Sequence, residues 1–269
     1  RRQRQMCIRD RAIFEQYMPR FAGDILPQQE IGRALSLADK LDNLAATFLR
    51  GLIPTGSQDP FALRRQTIGA VNILTDGKIH WDIRRGIEAA LALLPGEEET
   101  KKTVLSQIED FFRQRIKAIM LDEGIAYDII DAVLAGPVDD IYALFLKARS
   151  MAESQLKDEA DLRQAVTRLA NITKGKTGGK VDPSLFTEDV EKKLQDAFEA
   201  ASKKVLPLFA AYQYGEALPV LKGLTAPIND YLDNVMVMVD DEAVKNNRIS
   251  QLLATLALFN TWGDFSKLV

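Results

Sequence analysis

Gly51-Leu52-Ile53-Pro54-Thr55-Gly56-Ser57-Gln58-Asp59-Pro60-Phe61-Ala62-Leu63-Arg64-Arg65 interrupts an otherwise helical sequence with two prolines, two glycines, a serine and an aspartate. Residues of these types take a chain out of one helix and into the next within a few positions. Pro60 suits a first helical turn, because its φ is preset and its missing N–H would have no intrahelical partner there. Asp59 is then the expected N-cap. Behind it, Phe61, Leu63, Ile68, Val71, Ile73 and Leu74 supply apolar positions, and Arg64, Arg65 and Gln66 form a polar edge. The stretch reads as a rigid corner between two helices.

The segments on either side keep helical period. Upstream, Pro27 is expected to open a helix whose buried face carries Ile31, Leu35, Ala38, Leu41, Ala45 and Phe48, with Asp39 and Asp42 beside it. Downstream, apolar residues recur at three- and four-residue steps over residues 83–94, 104–119, 125–134, 141–148 and 162–172. Thr187 is the expected N-cap of the next helix, with Glu188, Asp189 and Glu191 in its first turn, where the helix dipole favours carboxylates. A further helix runs from about residue 225 to 236. Asp240 and Asp241 cap the last long one, in which Ile249, Leu252, Leu253, Leu256 and Phe259 line one side. The run 235–239 is β-prone, yet too short and too isolated to seed a sheet. The expected fold class is all-α, built of helical bundle regions without internal repeats.

With 269 residues, 46% of them hydrophobic and 27% charged, the chain has the balance of a water-soluble protein with a sizeable core. No run approaches the roughly 18 apolar residues of a membrane span, and no basic-then-apolar leader opens it, so a cytosolic protein with no membrane partner is expected. Residues 1–11 read differently from the rest. Met6-Cys7-Ile8-Arg9-Asp10 is what ATG TGT ATA AGA GAC encodes, a string that resembles a sequencing-library adapter, and the segment is therefore set aside as non-native. The alternative is a native basic arm that binds nucleic acid. These eleven residues carry five arginines and one aspartate, so the remaining chain holds a net charge of −7 out of the total of −3. Contact with nucleic acid must then come from local basic patches, because an acidic body repels phosphate.

The string from Pro54 to Arg65, read with Tyr17-Met18-Pro19-Arg20-Phe21-Ala22-Gly23-Asp24 and Leu37-Ala38-Asp39-Lys40-Leu41-Asp42 before it, resembles the end of the HD-like domain in the β subunit of bacterial glycyl-tRNA synthetase. Asp233-Asn234-Val235-Met236-Val237-Met238-Val239-Asp240-Asp241, then Asn247-Arg248 and Gly263-Asp264-Phe265-Ser266, is similar to the last helices of the same family. The resemblance implies residues 12–94 as the tail of the HD-like domain, 95–138 as a helical connector, and 139–269 as a DALR-like helical anticodon-binding domain. It further implies an anticodon-recognising β subunit that binds tRNA-Gly and pairs with an α subunit in a heterotetramer of two α and two β chains. That α subunit uses ATP with magnesium, while this part of β binds no cofactor and is not catalytic.

An HD phosphohydrolase needs several histidines with its aspartates, and the chain has only His80, in a break far along from Asp39 and Asp42. Asp39, Asp42 and His80 are read as rim or packing residues. Lys174-Gly175-Lys176-Thr177-Gly178-Gly179-Lys180 lacks the glycine spacing of a phosphate-binding loop and follows a helix instead of a strand. Its basicity carries more: Arg163, Arg168, Lys174, Lys176 and Lys180 lie within residues 162–180 without a carboxylate among them. Arg168, Asn171, Lys174, Lys176 and Lys180 form the first candidate RNA-binding patch, provided they share one face free of carboxylates. Asn247 and Arg248 form a second, with bracing of the helix as the alternative for Arg248. Arg64 and Arg65 are a third, where an ion pair bracing the corner is favoured. A helical interaction scaffold and a degenerate HD-type phosphohydrolase stand as the alternative functions.

Overall fold

The computed structural model describes residues 2–268; residue 1, at the head of the 1–11 segment, lies outside them. Twelve α-helices and four short 3-10 helices occur among the described residues, with no strand, so the protein is all-α. The chain divides into two compact units. One comprises Arg1–Glu123 with Pro137–Phe145, and the other Gly124–Gly136 with Leu146–Val269.

The first unit contains α1 (Arg2–Gln16), α2 (Glu30–Leu49), α3 (Leu63–Asp76), α4 (Ile83–Ala92) and α5 (Glu98–Asp122). Helix α2 is its centre and packs against the other four. Leu37, Leu41, Leu44, Ala45 and Phe48 are buried there, and Phe48 meets Phe111 of α5 edge-on at 5.2 Å. Each of the leucines and Phe48 contributes roughly 1.5–3 kcal/mol by leaving water. The buried face of α2 is rotated from the one that the apolar period marks. Ile31 is exposed, and Leu35 and Ala38 line a surface cleft, whereas Ser36 and Lys40 are buried. The polar pair is admitted because the Met18 carbonyl faces it: Ser36 Oγ donates to that oxygen at 2.6 Å and Lys40 Nζ at 2.8 Å, and Lys40 also reaches Ser36 Oγ at 2.7 Å. Burial without a carboxylate in contact pushes the Lys40 ammonium down to about 8.

Two expected helix starts move. Pro27 lies ahead of α2, whose N-cap is Gln29. At the corner, Pro60 and Phe61 stand outside the helix, and α3 begins at Leu63 after Ala62, which has φ +53°. Asp59 still caps α3, but from further back, accepting the Leu63 N–H at 2.8 Å and the Arg64 N–H at 3.0 Å. A turn closed by the Ala62 N–H on the Asp59 carbonyl brings that carboxylate over the helix end.

The second unit contains α6 (Tyr127–Val133), α8 (Ala160–Thr173), α9 (Asp189–Ala210), α10 (Leu218–Lys222), α11 (Thr225–Asn234) and α12 (Glu242–Asn260); α7 (Ile141–Glu153) has residues 141–145 in the first unit and the remainder in the second. Its core holds Leu162, Val166 and Leu169 of α8, Leu194 and Val205 of α9, and the aromatic cluster Phe259, Trp262 and Phe265. The Trp262 indole N–H donates to Ser150 Oγ at 3.0 Å, which satisfies the one polar atom of that ring inside the core. The N-cap of α9 is Glu188, not Thr187. Asp241 caps α12 through the Ala243 and Val244 N–H groups. Residues 235–239 are not a strand. Among the described residues no helix is long and apolar enough to cross a membrane.

Candidate nucleic-acid interface

Helix α12 is enclosed well beyond its apolar stripe. Asn247, Arg248, Ser250, Gln251 and Thr255 are buried along with Ile249, Leu252, Leu256 and Phe259. Sequence alone places Asn247 and Arg248 on an accessible helix start; the structure turns both inward, each 5% exposed. Arg248 donates to both oxygens of Glu191 on α9, through Nε at 3.0 Å and Nη2 at 3.3 Å, and to Thr187 Oγ1 and the Met236 carbonyl. Burial pushes the Glu191 carboxyl up, but the hydrogen bonds from Arg248 and from the Thr187 and Glu188 backbone outweigh it and hold that carboxyl below its usual range. The same contact raises the Arg248 guanidinium. This is the bracing alternative for Arg248, with a planar fork matching a carboxylate.

The polar side chains of α12 hold the basic loop. Asn247 Oδ1 accepts the Asp182 N–H at 2.7 Å and its Nδ2 returns a bond to the Asp182 carbonyl at 2.9 Å. The Gly179 N–H donates to Ser250 Oγ at 2.8 Å. Gly178 passes so close that a Cβ there would meet Leu253 at 2.9 Å and the Ser250 backbone at 3.3 Å, so this position admits no side chain without displacement. Gly175, at φ +71°, lets the loop leave α8. A flexible-looking glycine and lysine run is thus laid against α12 by backbone hydrogen bonds and one close approach, while Lys174 and Lys180 remain outside. Lys174 and Lys180 are exposed and form no close ion pair among the described residues. Lys176 is half-buried with its Nζ 3.7 Å from Met238 Sδ.

The remaining candidates separate. Asn171 is exposed on α8. Arg168 is engaged with α11, through Asn229 Oδ1 at 3.0 Å and the Asp233 carboxylate at 2.5 Å, so it does not meet the condition of being free of carboxylates. In the first unit, Arg64 donates to the Gly56 carbonyl at 2.7 Å and Arg65 to the Arg20 carbonyl at 3.0 Å, which braces the corner through backbone oxygens and not through ion pairs. Asp39 accepts from Gln16 at 3.0 Å, and His80 Nδ1 lies 2.8 Å from Asp140. Asp39 and Asp42 sit on the rim of a mostly apolar cleft of about 1000 Å³ lined by Leu35, Leu41, Ile79, Trp81 and Leu93. Among the described residues no three His, Cys, Asp or Glu side chains converge as metal ligands do.

Residues 8–135 match the family model described as glycyl-tRNA synthetase beta subunit. The chain is 42% identical, over 96% of its length, to the glycine--tRNA ligase beta subunit of Clostridioides difficile (strain 630). It is 38% identical, again over 96%, to the proteins of the same name from Desulforamulus reducens and Shouchella clausii. The chain belongs to the glycyl-tRNA synthetase beta subunit family. It spans 38% of the length of each of these three relatives. Within that family chain, three residues outside the candidates read from sequence matter to the site: Glu191, Met236 and Met238. The sequence around Glu191 marks it only as a dipole-favoured carboxylate of a first turn. The methionines have a usable signal, since the alternation Val235-Met236-Val237-Met238 is the period-two pattern of an extended segment with one face buried.

Proposed function

We propose that this chain is the tRNA-binding part of the β subunit of a two-subunit glycine–tRNA ligase, working in the cytoplasm and recognising tRNA-Gly at its anticodon. In this reading an α subunit, assembled as two α with two β chains, activates glycine with ATP and magnesium. The present chain holds RNA, takes no cofactor and performs no bond-making step.

The observation that supports it is the loop 174–180, a cluster of lysines fixed by Asn247 and Ser250 against α12 in a body whose charge beyond residue 11 is negative. A body of that sign repels RNA on average, so a local cluster of this kind biases where a phosphate backbone approaches. Arg168, held by Asp233, positions α11 beside the loop, and the accessible charge belongs to Lys174 and Lys180.

Binding of tRNA-Gly and of the same tRNA with an altered anticodon, measured by fluorescence anisotropy at several salt concentrations, tests this. The unaltered tRNA is expected to bind more tightly. Lys174→Glu with Lys180→Glu is expected to weaken it by at least about tenfold at low salt and to flatten the dependence of log K on log salt by about 0.7–0.9 for each phosphate that is no longer neutralised. Equal affinity for both tRNAs, or a glutamate variant that binds like the parent, would overturn the reading and leave a helical interaction scaffold.

A further inference from the structure

Residues 235–239 present two faces. Val235 and Val237 are buried, whereas Met236 is 73% and Met238 52% exposed. The backbone beneath the methionines is fixed: the Val235 N–H donates to the Tyr231 carbonyl at 2.8 Å, and Arg248, itself locked by Glu191, donates to the Met236 carbonyl at 2.9 Å. Lys176 of the basic loop reaches Met238 Sδ, which joins the two segments into one surface. Of the carboxylates nearby in sequence, Asp233 is engaged with Arg168 and Asp241 with the N-terminus of α12, while Asp240 is exposed. The result is a small apolar shelf on a rigid support, with the Lys176 ammonium at its edge.

We propose that Met236 and Met238 form a shelf on which unpaired RNA bases pack, with Lys176 at its edge and Lys174 and Lys180 holding the flanking phosphates. This rests on the reading of the chain as an RNA binder and specifies which part of the RNA the site takes. A thioether is apolar, polarizable and makes favourable contacts with aromatic rings, and every base offers a π-face. Those faces are covered in a paired A-form helix and accessible in loops, so the shelf selects unpaired nucleotides. Because the backbone is already held by Arg248 and Tyr231, little order is lost when a base docks. Lys176 at the edge, within a loop that also carries Lys174 and Lys180, favours a polyanion over an apolar peptide as the occupant.

The test uses the full chain with two RNA probes of equal length, a hairpin with an open loop and a blunt duplex. Met236→Ser with Met238→Ser is expected to lose about tenfold in hairpin affinity with duplex affinity and salt slope unchanged, and Met236→Leu with Met238→Leu to retain most of it. In the unmodified chain, hairpin but not duplex is expected to slow peroxide oxidation of both methionines, read by peptide mass spectrometry. Hairpin affinity unaffected by the serine pair, equal loss on both probes, or no protection from oxidation would overturn the shelf. So would loss of α-subunit binding with hairpin affinity intact, which assigns the surface to a protein. A parent chain that binds neither probe overturns the proposed function itself; lysine variants that weaken binding while methionine variants do not overturn only this inference.

Discussion

In the corner at residues 51–65, Arg64 and Arg65 aim their guanidiniums at the carbonyls of Gly56 and Arg20; in the loop at 174–182, Lys174 and Lys180 stand in water. Both segments connect helices and both contain glycine and basic residues, so local composition does not separate them. What separates them is which partner supplies the fixing hydrogen bonds. The corner has Asp59 and its own arginines to close it. The loop is closed from outside by Asn247 and Ser250 of α12, so Lys174 and Lys180 are not needed to close it and are left for a ligand. The buried cations repeat the contrast: Arg248 has a carboxylate, Lys40 only neutral oxygens.

The largest effect is expected where the paired cation is removed. Arg248→Ala leaves Glu191 buried and charged, releases the Met236 carbonyl, and should lower stability by about 3–5 kcal/mol in denaturant unfolding. Replacing both partners by apolar residues of similar volume should recover much of that deficit. Since the native contacts hold the Glu191 carboxyl below its usual range, the contribution is present above about pH 4.5 and disappears as the pH falls.

Lys40 predicts a rise in the same direction at alkaline pH, from relief of a buried unpaired charge and not from gain of a paired one. The folded chain releases its proton near pH 8 and the unfolded chain near 10.5, so between these values the unfolded state holds more protons and stability rises with pH. The rise should amount to at most about 3 kcal/mol and should be absent in Lys40→Met, read as unfolding midpoints from pH 7 to 11. A parent chain with a flat profile would show that the two buried cations are not solvated differently.

Asp59→Ala should lower stability by about 1 kcal/mol by removing the cap on α3, with the hydrogen exchange of the Leu63 and Arg64 amides accelerated. The smallest effect is expected for Arg64→Ala and Arg65→Ala, each within about 0.5 kcal/mol. Neither should alter the salt dependence of RNA binding, whereas Lys174→Ala and Lys180→Ala should; a change with the arginines would erase the distinction between corner and loop.

Helix content is legible because amphipathic period is a local property: the corner, the interruptions between the periodic ranges 104–119, 125–134 and 141–148, and the Asp241 cap all have their counterpart in the structure. Helix starts at prolines are less legible. Pro27 and Pro60 satisfy the requirements of a first turn but equally those of the turn before it, and the backbone hydrogen bonds that decide between the two are not written in the residue itself. At the candidate interface, the basic loop is visible as composition, while the fate of Arg168, Asn247 and Arg248 is not. Each has a polar partner more than fifty residues away, Asp233, Asp182 and Glu191.

The sequence by itself determined an all-α chain, the family it belongs to, and an acidic body with one concentrated run of lysines. Only tertiary structure decided which cations face water, because a guanidinium is accessible or buried according to what packs over it, and α9, α11 and α12 bring their carboxylates and amides to Arg168, Arg248 and the loop from distant parts of the chain. Charge is a property of the residue; its availability to a ligand depends on the competing oxygens within hydrogen-bond reach.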